Sequence, residues 1–256
     1  MLRVLDLFSG IGGFSLGLRM AGGFETVQFV EIEPYCQKVL AKNFPGVPIH
    51  GDVRTFQGER GSADVICGGF PCQDISSAGH KVGISGKRSG LWSEYARIIG
   101  EVRPCYVLVE NVSALLSRGL GDVLGDLAAL GYDAEWHCIP ASSLGAPHRR
   151  DRVWIVAHPN GYGEPRESVD AKASRMPPDV PDAELWLGPL GRHMAGIGRQ
   201  RESIAWNGWD GEPEDRSDFL GMDDGIPGRM DRLRGLGNAV VPQVVAEIGK
   251  AIRAAI

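Results

Sequence analysis

Short apolar runs recur through residues 4–158, separated by amphipathic stretches. The runs at 4–8, 25–30, 49–52, 64–67, 106–110, 132–140 and 153–158 have the length and composition of strands. Between them, apolar residues three and four apart predict helices at 14–21, 34–43, 91–102 and 122–130. Pro34 suits a first helical turn, where its missing N–H costs nothing, and Gly131 suits a stop after Leu130. Strands alternating with helices build a sheet covered on both faces. The expected fold is therefore α/β, with a doubly wound, mostly parallel sheet.

The alternation fails after His158. Stretches such as P-N-G-Y-G-E-P-R-E and W-N-G-W-D-G-E-P-E-D-R carry Pro, Gly and charge without period, which predicts either a small irregular lobe or a loosely ordered insertion. Order returns near the end of the sequence, where Pro242 opens a helix with Val245, Ile248, Ala251 and Ile252 on one face. Three parts are expected: a main domain over 1–157, a lobe over 158–232, and a segment over 233–256 that rejoins the main domain. No internal repeat is visible.

Composition narrows the partners. The 256 residues include 43% hydrophobic ones, enough for one substantial core. Lys and Arg number 27 against 32 Asp and Glu, so the net charge of -5 gives no general attraction to nucleic acid or to an anionic membrane. A polyanion would have to meet a local basic patch. No apolar run reaches the roughly 18 residues of a membrane span. The amino terminus enters a strand pattern directly, so a cytoplasmic location is expected. The five cysteines form no C-x-x-C pair, and neither a disulfide scaffold nor a metal site is expected. Cys36, Cys67, Cys105 and Cys138 read as buried, inert thiols. Cys72 does not.

Residues 67–76 read C-G-G-F-P-C-Q-D-I-S, which puts Cys72 just beyond a buried strand, behind two glycines that let the backbone leave it. At the carboxyl edge of an open sheet that is a ligand-facing position, and a thiol there is a candidate nucleophile. Earlier, D-L-F-S-G-I-G-G runs from a strand through a glycine turn into a helix, and it is either a plain tight turn or a nucleotide cradle. It is not G-x-G-x-x-G, because position 15 is serine, so a dinucleotide fits poorly. Glu31 and Asp52 follow the next two strands, placed to accept from ribose hydroxyls and from an adenine amine. Together they point to an adenosine without phosphates, of which S-adenosylmethionine is the commonest cofactor.

Glu110 closes a buried strand, where a carboxylate must be paired or raised in proton affinity. It is either a cap for the following segment or a general acid beside Cys72. The run H-R-R-D-R at 148–152 is either a solvated face or, with Arg150 and Arg152 on one side of a strand, a clamp for a phosphate or carboxylate. Between Ser77 and Ser93 lie Lys81, Lys87 and Arg88, four glycines and no acid, which suits a lid over a polyanion.

Taken in order, D-L-F-S-G-I-G-G, G-F-P-C-Q, E-N-V, H-R-R-D-R and G-N-A-V-V-P closely resemble the motifs of the DNA (cytosine-5) methyltransferases of bacteria and phages. The likeness covers 1–157 and about 235–256. Each motif is short, but five in this order are specific. The resemblance implies an S-adenosylmethionine-dependent methyltransferase fold with a target-recognition lobe at 158–232. It implies Cys72 as nucleophile, Glu110 as the acid that contacts the base, and Arg150 and Arg152 as organisers of the site. On the cofactor side it implies Phe8 stacked on adenine, the turn residues Ser9, Gly10, Ile11 and Gly13, Glu31 with Ile32, Asp52 with Val53, Pro71, and Asn238 with Ala239. Gln73, Ser76, Lys81, Lys87 and Arg88 would face DNA, with Arg88 on a phosphate. The sequence departs from the family pattern at His148, where glutamine is usual, and at Ile32, where a large aromatic is common.

The implied reaction answers an electronic problem. Cytosine C5 is too poor a nucleophile to take a methyl group from a sulfonium, so a thiolate first adds at C6. Methyl transfer, loss of the C5 proton and expulsion of Cys72 complete the cycle. A stacked base cannot be reached, so it must be flipped out. The expected partner is double-stranded DNA, with the chain a monomer needing no obligatory protein partner, either paired with a restriction enzyme or solitary. Methylation of cytosine in tRNA, a catalytically silent DNA-binding module and an NAD-dependent oxidoreductase are the competing readings. The target sequence would be read in the lobe, with Trp186, Arg192, Arg199, Arg201, Trp206 and Trp209 as candidate readers.

Overall fold

The computed structural model describes residues 1–71, 90–146, 149–161 and 238–256. Strands β1 (Leu2–Leu7), β2 (Phe24–Val30) and β3 (Ile49–His50) alternate with helices α1 (Gly13–Ala21) and α2 (Pro34–Asn43). Then come β4 (Val65–Gly68), α3 (Gly90–Val102), β5 (Tyr106–Val112), α4 (Leu115–Arg118), α5 (Leu120–Ala129), β6 (Tyr132–Pro140), β7 (Asp151–Pro159) and α6 (Pro242–Ala254). One seven-stranded sheet runs in the order β3-β2-β1-β4-β5-β7-β6. The first five strands are parallel, and β7 is antiparallel to both β5 and β6. The chain works outward from β1 to β3 and then returns to β4. The order therefore reverses between β1 and β4, which opens a crevice beyond their carboxyl ends.

Alternation along β1 sorts its side chains into two cores. Leu5 and Leu7 pack with Ile66, Trp92, Tyr95 and Ile98 under α3, while Val4 packs with Phe14, Leu18, Val245 and Ile248 under α1 and α6. The predicted face of α6 is the buried one. Helices α1 and α6 approach so closely that a Cβ at Gly17 would stand 2.5 Å from the Val245 Cβ and against the Pro242 carbonyl. Gly17→Ala is expected to cost about 1–3 kcal/mol by overpacking. Urea unfolding of the purified variant checks this, and an unchanged midpoint would contradict it.

Asp6 departs from the apolar pattern of β1. It is fully buried, and its Oδ2 accepts from the Ser15 hydroxyl (2.6 Å) and backbone N–H (3.3 Å). It thus caps α1 from the neighbouring strand, because the N-cap Gly12 has no side chain to do so. Burial pushes the Asp6 carboxyl up to about 7, against the pull of Ser15. A raised carboxyl pKa means that the folded state holds a proton the unfolded state has lost. Stability from Asp6 is thus full below about pH 4 and is lost as pH rises to about 7, on the order of a few kcal/mol. Asp6→Asn, whose carbonyl can accept both Ser15 bonds, is expected to flatten that part of the stability profile. Denaturant midpoints from pH 4 to pH 8 check it, and an unchanged slope would contradict it.

Several expectations need correction. β3 ends at His50, so Asp52 lies in the turn after it. β7 begins at Asp151, so Arg150 precedes the strand, with a left-handed φ of 36°. Strand alternation therefore does not set its direction. Gly68 and Gly69 have no positive φ; they are required by space. A Cβ at Gly68 would strike the Leu7 carbonyl, and one at Gly69 would stand 2.9 Å from Glu110 Oε2. Cys138 is exposed on the edge strand β6 and Cys105 is partly exposed, so only Cys36 and Cys67 are buried thiols among the described cysteines. The four-residue α4 and the 3-10 turn Ala141–Leu144 are too short to leave a period in the sequence. The lobe at 158–232 lies almost wholly outside the described residues. Among the described residues, no helix is long and apolar enough to cross a membrane, and no group of three His, Cys, Asp or Glu could hold a metal ion.

Candidate active site

A cavity of about 830 Å³ opens at the crevice beyond β1 and β4. Phe8, Gly10, Glu31, Ile32, Asp52 and Val53 line it together with Pro71, Glu110, Arg150, Arg152 and Asn238. Residues expected on the cofactor side and residues expected to act on a base thus share one space, while Ser9, Ile11, Gly13 and Ala239 are not part of its lining. Cys72, Gln73, Ser76, Lys81, Lys87 and Arg88 lie outside the described residues, as do His148 and the six candidate readers of the lobe. Pro71, immediately before Cys72, is on the cavity wall.

The glycine turn is tied down at both ends. The Ser9 hydroxyl donates to the Asp6 carbonyl (2.6 Å), and the Gly12 N–H donates to the Ser9 carbonyl (2.9 Å). Phe8 has φ of 52°, an uncommon backbone for an aromatic residue, and its ring stacks 6.2 Å from Tyr95. Glu31 Oε2 accepts from the Gly10 N–H (2.6 Å) and Oε1 from the Glu33 N–H (2.8 Å). Both carboxylate oxygens are fixed, and each keeps capacity for a further donor such as a ribose hydroxyl. Ile11 and Gly13 belong to the turn and the start of α1, where a Cβ on Gly13 would meet the Val240 backbone. Ala239 binds through its carbonyl, which accepts from Arg150 Nη2 at 2.7 Å.

Asp52 has a partner that the sequence reading missed. Arg54 Nη2 donates to Oδ2 (2.7 Å), Arg54 Nε to Oδ1 (3.0 Å), and the Arg54 N–H closes an Asx turn at 2.9 Å. Hydrogen bonding from Arg54 holds the Asp52 carboxyl down at about 2, so it stays an acceptor at any working pH. The signal was present in the local D-V-R spacing.

Across the cavity lining, Arg152 Nε meets Glu110 Oε1 at 3.0 Å, both groups being largely buried. Burial raises the Glu110 pKa, with Arg152 and then Arg150 opposing it. Burial lowers the Arg150 pKa, Arg152 adding to that and Glu110 opposing it. Pairing of β4 with β5 sets Gly68 beside Val109, so the backbone leading to Cys72 departs alongside Glu110. Asn111, unassigned by sequence reasoning, donates from Nδ2 to the Phe70 carbonyl (3.1 Å) and steadies that departure. The helix-cap reading of Glu110 is replaced by an ion pair.

A family model described as C-5 cytosine-specific DNA methylase matches residues 2–187. The chain is 36% identical over 217 residues to the type II methyltransferase M2.BsuMI of Bacillus subtilis (strain 168), covering 79% of this chain and 55% of that protein. It is 36% identical over 203 residues to M.Eco47II of Escherichia coli, covering 71% of this chain and 48% of that protein. The chain spans about half the length of the curated relatives it matches. A crystal structure described as a DNA modification methyltransferase encoded within an E. coli prophage aligns at 30% identity and TM-score 0.52, over 62% of this chain and 47% of that one. Spodoptera frugiperda DNMT2 shares the fold at 22% identity and TM-score 0.54, over 70% and 56%.

Proposed function

Because the chain belongs to the C-5 cytosine-specific DNA methylase family, we propose that it methylates C5 of cytosine in duplex DNA, with S-adenosylmethionine as donor and Cys72 as nucleophile. One observation supports this above the others: the Glu110–Arg152 pair, the Glu31 and Asp52 carboxylates and Pro71 line a single cavity. The acceptors fit an adenosine without phosphates. Glu31 presents two fixed oxygens to vicinal hydroxyls, and ionised Asp52 presents an acceptor to an amine. S-adenosylmethionine supplies, when bound, an electrophilic carbon on a sulfonium.

The protein's part is to make C5 able to accept that carbon. The Cys72 thiolate adds to C6, and Glu110 hydrogen-bonds N3 so that the charge thrown into the ring is neutralised there. Arg152 holds Glu110 Oε1, which leaves Oε2 to the base edge. Loss of the C5 proton then lets the Cys72 sulfur leave. Extruding the base costs a few kcal/mol, to be met by the basic stretch at 77–89, the expected 77–93 being shortened because Gly90–Ser93 open α3, and by the lobe at 158–232.

Incubating the protein with tritiated S-adenosylmethionine and either duplex DNA or tRNA tests this. Label recovered as 5-methylcytosine in DNA is expected, at positions that bisulfite sequencing would define. Label in tRNA alone, or in neither, would overturn the reading.

A further inference from the structure

We propose that Arg97 is a positioning residue for the cofactor: it fixes the turn that presents Asp52 and Val53 to the nucleoside, without touching the nucleoside itself. The inference rests on the reading of the cavity given above. Arg97 lies midway along α3, whose first turn contributes Leu91 to the cavity wall. Its Nη2 donates to the carbonyls of Val53 (3.0 Å) and Phe56 (2.8 Å), more than forty positions earlier in the chain. Its Nε and Nη1 are held by Glu94 and Glu101 at 2.7 Å each, so the fork is aimed before any ligand arrives.

The turn needs such a hold. β3 contributes only two residues to the sheet, and no strand or helix follows it until β4 at Val65. Within the turn, the Thr55 and Phe56 N–H groups donate to the Asp52 carbonyl at 3.1 Å, which makes 52–56 one unit. Arg97 grips that unit at two carbonyls, and Glu101 Oε2 accepts from the Gly58 N–H at 2.8 Å just beyond it. The chain there lies directly on α3: a Cβ at Gly58 would stand 2.5 Å from Val102 Cγ2. The ion pairs with Glu94 and Glu101 are local to α3 and individually weak. The contacts to Val53 and Phe56 are what Arg97 does beyond its own helix. A planar guanidinium can bridge two carbonyls from one nitrogen while its other nitrogens stay paired; an ammonium cannot copy that geometry.

The test measures S-adenosylhomocysteine affinity by calorimetry, together with kcat and the KM for each substrate. Arg97→Met is expected to weaken the probe and raise the cofactor KM by about tenfold or more, with kcat at saturating cofactor and the DNA KM within about twofold of the parent. Arg97→Lys keeps the charge, secures folding, and should recover part of the affinity. Glu94→Ala leaves both carbonyl contacts and should bind within about twofold of the parent. The inference is overturned if Arg97→Met binds as the parent does, if Glu94→Ala loses as much as Arg97→Met, or if the loss falls on kcat alone. Asp52→Ala separates the two levels. If it too binds as the parent does, the cavity reading itself fails and takes this inference with it; if it weakens the probe while Arg97→Met does not, only this inference falls.

Discussion

Cys72→Ala is expected to lose methyl transfer to duplex DNA by several orders of magnitude while still binding S-adenosylhomocysteine. The reasoning is electronic. C5 of cytosine carries too little electron density to displace a methyl group from sulfur, and only addition at C6 supplies it. The other thiol of the cavity lining, Cys36, is buried in α2, and the carboxylates there already have partners: Glu110 with Arg152, Asp52 with Arg54, and Glu31 with two backbone N–H groups. The assay is tritium incorporation into DNA, with calorimetry of the product cofactor as the folding control. Retention of more than about a tenth of the parent rate would contradict the mechanism.

Glu110→Gln is expected to lower kcat by about 10²–10⁴-fold with a smaller change in cofactor affinity. The amide can still meet N3 but cannot supply a proton, and it leaves Arg152 without its counter-charge. The pH dependence carries the sharper signature. Burial raises the Glu110 pKa despite the two arginines, so more of it is protonated near neutrality than in an ordinary glutamate. Activity that requires the protonated form falls as pH rises through that raised pKa. In the glutamine variant the part of the alkaline decline due to Glu110 should vanish, leaving the limb set by Cys72 ionisation. An identical alkaline limb in parent and variant would remove Glu110 from the proton-transfer role.

Much of the sheet was legible because its central strands are apolar runs buried on both sides, as in 65–68 and 106–109. The order of strands was not, since pairing β7 between β5 and β6 depends on contacts far apart in the chain. The carboxylates of the site were readable for a physical reason. Glu31 and Glu110 are buried acids at the ends of apolar runs, where their cost demands an explanation, whereas Asp52 could be read only from its place after the third run. Their partners were less readable. Arg54 could be found from its spacing to Asp52, whereas the bridge from Arg97 to Val53 spans 44 positions and leaves no local mark. Gly68 and Gly69 were noticed for the wrong reason: the chain needs small residues there because Leu7 and Glu110 crowd the backbone, not because φ is positive.

The central claim, a transient bond between the sulfur at position 72 and a pyrimidine carbon, is tested most directly by trapping it. Duplex DNA carrying 5-fluorocytosine at the modified position, with S-adenosylmethionine, should form an SDS-stable complex, because fluorine cannot leave C5 as a proton does. Peptide mapping should place the cross-link on Cys72. Methylation of ordinary DNA without any trapped complex, or a cross-link on another residue, would contradict the account.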